Sequence, residues 1–92
     1  MPYIKKEERP AIDAHVEALA KLLNTMSRKE PLELMGRANY TITTLLLKLF
    51  DQRKYAHMSC ARAVVSDVKE EWYRRRMVPY EEEKIEENGD VY

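Results

Sequence analysis

Apolar residues recur along this chain at steps of three and four, the spacing of helices that bury one face. Ile12, Val16, Leu19, Leu23 and Met26 form one such stripe, widened by Ala20 and Leu22, and predict a first helix from about Pro10 to Met26. Pro10 suits an opening turn, where a missing N–H removes no helical hydrogen bond. Asp13 lies near the positive end of the helix dipole, and Arg28 and Lys29 near the negative end. The stretch SRKEPLELMG, residues 27–36, interrupts the pattern. Pro31 disfavours helical geometry at Glu30, so this stretch reads as a break, with Leu32, Leu34 and Met35 folding back onto the core. A second helix is predicted over about 37–51, with Tyr40, Leu47 and Phe50 near one face and Ile42, Leu45, Leu46 and Leu49 filling much of the rest. So wide an apolar arc belongs to a helix surrounded by neighbours.

After DQRKY, a third helix is predicted over about 54–77. Met58, Ala61, Val65, Val68 and Trp72 step by 3, 4, 3 and 4 along it, a seam suited to a long antiparallel neighbour. Pro79 is expected to kink or end this helix. YEEEKIEEN then forms a short terminal helix, stopped at Asn88-Gly89. The expected fold is all-α: a small bundle in one domain spanning 1–92. An antiparallel hairpin of helices 37–51 and 54–77 carries the N-terminal helix packed across it. Residues 1–9 form an extended arm and 81–92 an acidic C-terminal segment. Two glycines in the whole chain leave little for the turns a sheet would need.

Composition sharpens this picture. A chain of 92 residues buries only roughly 60–65% of its unfolded surface, so its core is thin. Cys60 is the single cysteine, which excludes an internal disulfide and a thiolate zinc site; in its apolar run it reads as a core residue. Association with further copies is the remaining reinforcement, and Leu46, Leu49, Trp72, Tyr80 and Ile85 are the expected interface residues. No apolar run approaches the roughly 20 residues of a membrane span, and no signal segment follows the charged start. A cytoplasmic protein with no membrane partner is expected. Net charge is zero, but residues 1–80 hold 15 Lys/Arg against 10 Asp/Glu, while 81–92 hold one Lys against six acids. A nucleic-acid partner is not expected from such a balance.

Candidate chemistry is sparse. Arg74 and Arg75, with Tyr73 or Tyr80, have the guanidinium forks and aromatic rings to hold a phosphate-bearing nucleotide. Asn39 and Tyr40 add a polar pair on the second helix. The alternative is that these arginines pair with Glu70, Glu71 and the acids at 81–87. No cofactor, no metal and no catalytic residue is expected. Ser27, Ser59 and Ser66 lack a neighbouring base, and His15 and His57 share no site. An enzymatic alternative is a magnesium-dependent nucleotide pyrophosphohydrolase of the MazG type, which holds its metal on acids from two helices. The Glu-Glu-x-x-Glu element such enzymes use is broken here, because Arg74 follows Glu70-Glu71.

MPYIKKEERP at the start, NYTIT at 39–43 and YRRRMVPYEEEKIEENGDVY at 73–92 resemble a family of small bacterial and phage proteins of uncharacterised function. The resemblance covers most of the chain. It departs from the family pattern at Arg76 and Glu82 and in a longer 27–36 connection. The architecture is also similar to that of phage helical-hairpin proteins that oligomerise and sequester nucleotide signals of bacterial immunity, although their sequence motif is not present. That likeness implies a non-enzymatic sponge with an anti-defence role. The alternative is a protein–protein interaction or regulatory module with no small-molecule ligand.

Overall fold

The structure, a computed structural model, describes residues 2–28 and 30–92. Met1, the first residue of the expected arm, and Lys29, expected at the basic end of the first helix, lie outside the described residues. The chain is all-α. A 3-10 turn, Lys6–Glu8, leads into helix α1, Arg9–Ser27. Helix α2 spans Pro31–Leu49 and helix α3 Tyr55–Trp72. A π-turn, Tyr73–Met77, joins α3 to helix α4, Val78–Asn88. Among the described residues no helix is long and apolar enough to cross a membrane.

Helix α1 matches its apolar stripe. It ends at Arg28, whose φ of 48° lies in the left-handed region, and the chain turns there so tightly that the Glu30 N–H donates to the Ser27 carbonyl at 2.9 Å. Helix α2 begins six residues before the expected 37. Pro31 does end helical geometry at Glu30, which is extended (ψ 122°), but it then serves as the first residue of the next helix. Residues 31–36 of the expected break are therefore helical. Leu32 and Met35, expected to fold back, stand 79% and 64% exposed on the first turns of α2.

The expected arm is also shorter. Only residues 2–5 precede the 3-10 turn without regular structure, and Arg9 donates from Nε and Nη2 to the Ile4 carbonyl, fixing where the arm departs. Helices α1 and α2 pack on each other around Leu19, Leu23, Tyr40 and Thr44. The expected α2–α3 hairpin is open rather than closed. The two helices meet at their shared corner, where Leu46, Leu47 and Phe50 approach Met58 and Ala61. There the Asp51 N–H donates to His57 Nδ1 at 3.1 Å, and the Phe50 and His57 rings meet edge to face.

Pro79 does not end the third helix. Trp72, Tyr73, Met77 and Val78 all keep right-handed helical dihedrals, so segments of 18, 5 and 11 residues run on without a break. At about 1.5 Å per residue they span roughly 50 Å, the long dimension of the molecule, 49 Å. A proline in a helix lacks an N–H and collides with the carbonyl four residues back. Here the Val78 N–H bonds to the Tyr73 carbonyl, five residues back, and the widened turn gives the ring its room. Gly89, at φ 88°, stops the helix as expected, its N–H closing on the Ile85 carbonyl at 2.8 Å.

Among the described residues, no hydrophobic side chain is buried. Of these residues Ser27 alone is fully enclosed, its Oγ accepting from Arg37 Nη1 at 3.0 Å. Cys60, expected in the core, is exposed. The accessible surface is 8803 Å², where a compact chain of this mass presents about 5,600 Å². The radius of gyration is 16.7 Å against about 12 Å for a compact domain of this length.

Candidate functional site

The arm and the long helix form a groove of about 440 Å³. Pro2 and Tyr3 make one wall. Val64, Val68 and Trp72, at steps of four, lay an apolar strip along α3, and Arg75 and Arg76 follow at its C-terminal end. Asp67 and Glu71 also line it. The Tyr3 hydroxyl donates to Glu71 Oε2 at 3.5 Å, and Glu71 Oε1 accepts from Arg74 Nη2 at 2.6 Å, so Glu71 ties the arm to the helix. Trp72 and Tyr3 remain 62% and 57% exposed.

The three consecutive arginines have different surroundings. Arg74 is engaged with Glu71. Among the described residues, Arg75 and Arg76 make no ion pair or side-chain hydrogen bond, which leaves two guanidinium groups beside two aromatic rings. Such a set can take a phosphate on the arginine forks and a planar ring against Trp72 or Tyr3. The neighbouring carboxylates accept hydrogen bonds and suit amino or hydroxyl donors of the same ligand.

Of the residues expected to bind a ligand, Arg75 alone lines this groove. Tyr73 lies in an adjoining recess with Val68, Trp72 and Met77. Tyr80 lies further along, near Ile85, with the Lys84 ammonium 5.5 Å from its ring centre. Asn39 and Tyr40 are on α2. Asn39 Oδ1 accepts from Thr43 at 3.3 Å, and Tyr40 lines the α1–α2 groove with Arg37. Within one protomer the six residues therefore do not form one site. The hydroxyls of Thr41 and Thr44 bond back to carbonyls of their own helix, so that polar cluster offers little to a ligand. Tyr3, Trp72 and Arg76 complete the groove and were not foreseen as ligand contacts. Tyr3 meets Glu71 across 68 positions of chain, and only its place in the MPYIK opening singles it out beforehand.

Of the expected interface residues, Leu49, Trp72, Tyr80 and Ile85 are exposed, and Leu46 is half-buried at the α2–α3 corner. The acidic segment does not lie over the arginines of its own chain, because α4 continues away from them. Its one described ion pair is local, Lys84 with Glu87 at 3.0 Å. Among the described residues no three His, Cys, Asp or Glu side chains converge where a metal ion could sit.

No curated protein and no solved structure matches the chain. A family model does match, over residues 1–91, from the arm that walls the groove to the end of the acidic segment. The chain belongs to the family described as Domain of unknown function (DUF6899).

Proposed function

We propose that this protein is a non-enzymatic binding protein that works as a homo-oligomer, with the apolar core built between copies. The observation that carries the reading is the absence of any buried hydrophobic side chain among the described residues, together with roughly 3,200 Å² of surface beyond that of a compact chain of this mass. Counted over two copies that excess is roughly 6,400 Å², at the upper end of obligate interfaces, which bury about 2,000 to 5,000 Å² or more in total.

The ligand class we assign is a nucleotide, held by Arg75 and Arg76 through phosphate and by Trp72 or Tyr3 through its base. In its most specific form the reading is a cytoplasmic sequestering protein for a nucleotide signal, a phage-type sponge with an anti-defence role. The unpaired arginines beside exposed rings support the ligand class. The sponge role rests on the likeness in architecture alone.

Light scattering on the purified chain at micromolar concentration tests the assembly, and a thermal-shift panel of mono-, di- and cyclic oligonucleotides tests the ligand. A multimeric mass and an upward shift with a nucleotide, lost in Arg75→Ala, are the expected results. A multimer that no nucleotide shifts removes the ligand and leaves an interaction module. A monomeric mass points instead to a different protein as the missing cover, which the same exposed apolar surface also favours.

A further inference from the structure

The acidic end of the long helix is electrostatically misplaced in a lone protomer. Glu81, Glu82, Glu83, Glu86 and Glu87 occupy its last turns, where the helix dipole is already negative. Because α4 continues α3 through the π-turn, it has no free N-terminus of its own to favour these acids. Lys84 is the single local cation. The opposite end of the same helix has the reverse character. Residues 54–66 contain Lys54 and Arg62 and no acid.

The π-turn has a second effect. At about 100° per residue, an unbroken α-helix would place Met77 roughly 140° around from Trp72. One extra residue in the turn removes about 100°. Met77 and Tyr80 then fall within about 40° of Trp72, on the face that already carries Met58, Val65 and Val68. Trp72 and Met77 do share one recess. The apolar seam therefore runs through the turn, and its members are exposed: Met58 46%, Val65 47%, Val68 59%, Trp72 62%, Met77 49% and Tyr80 59%.

We propose that a second copy of this chain docks along this seam, antiparallel, with the twofold axis passing beside Trp72. The proposal rests on the homo-oligomer reading above and adds the surface, the direction and the register. A parallel pair would stack the two acidic ends together. An antiparallel pair lays each acidic end on the basic start of the other helix, and the overlap is greatest when the axis lies at the middle of the helix, between Glu71 and Trp72. In that register Arg62 faces Glu81 of the partner subunit. Both positions lie about 80° from Trp72 on the same flank of the seam, and same-flank positions face one another in an antiparallel pair. Twofold symmetry makes the ion pair twice.

Two sets of variants test this. Arg62→Glu and Glu81→Arg each set like charges opposite one another twice, and each weakens the assembly roughly tenfold in sedimentation equilibrium, while the double variant recovers it. Separately, the Arg62→Cys, Glu81→Cys pair in a Cys60→Ala background forms an interchain disulfide on mild oxidation. The two positions are too far apart within one helix, about 28 Å, to bridge internally. A multimeric mass with no such disulfide, or a disulfide formed by Arg62→Cys alone, overturns the register while sparing the homo-oligomer. A monomeric mass overturns both.

Discussion

Asp51 shows how single residues hold this open fold. Its Oδ1 accepts from the Arg53 backbone N–H at 3.0 Å and from Arg53 Nε at 3.3 Å, closing the turn between α2 and α3. The backbone bond and then the guanidinium hold the carboxyl below its ordinary range, against a smaller effect of burial, and His57 adds a further pull downward. A depressed carboxylate contributes stability that is complete above its unfolded value, about 3.9, and is lost as pH falls through the folded one. Asp51→Asn keeps an oxygen for the Arg53 N–H but loses the charge. Its melting temperature is expected to fall below that of the native protein at pH 7, with the gap closing below about pH 4. A gap constant across that range would mean the charge has no part in the turn. Nothing in the sequence pattern marks Asp51 for this role beyond its place before a basic pair. Ser27, the one enclosed side chain among the described residues, is likewise silent as a sequence signal, because its partner Arg37 arrives from the next helix.

At the scale of elements, Pro31 and Pro79 divide what the sequence makes legible from what it hides. Periodicity alone identifies α1 and α3, because their stripes step by three and four without interruption. Pro31 and Pro79 both read as stops. Pro31 instead opens the next helix and Pro79 sits inside a continuous one, and which reading wins depends on backbone bonds no residue name reveals. At Pro79 the deciding feature is the π-turn. Pro79→Ala removes the ring collision and restores an N–H, a change worth up to about 3 kcal/mol within a helix. The variant is expected to keep or gain helicity by circular dichroism, yet to lose assembly mass by light scattering. A relaxed α-turn would carry Met77 and Tyr80 off the seam. An unchanged mass would show that the phasing is immaterial. The groove is hidden for a different reason: it joins the arm to α3 across most of the chain, and long-range contacts leave no periodic trace.

For the whole molecule, the unusual quantity is exposure. The expected thinness of the core is correct in direction and far too modest in degree. Helices α1, α2 and α3 each bring a well-formed stripe, but within one chain they touch mainly at the α1–α2 contact and the α2–α3 corner. With so few side chains sheltered inside a protomer, a solitary copy has little reason to keep its shape. On the homo-oligomer proposed above, acquiring structure and meeting a sister chain become one event, second order in protein. The melting temperature should then climb with the amount of protein in the cuvette, where a self-sufficient domain would melt unchanged over about a hundredfold dilution. In a cell such an assembly would set a threshold: sparse copies would stay unfolded and open to proteolysis, and activity would begin only once enough chains had accumulated.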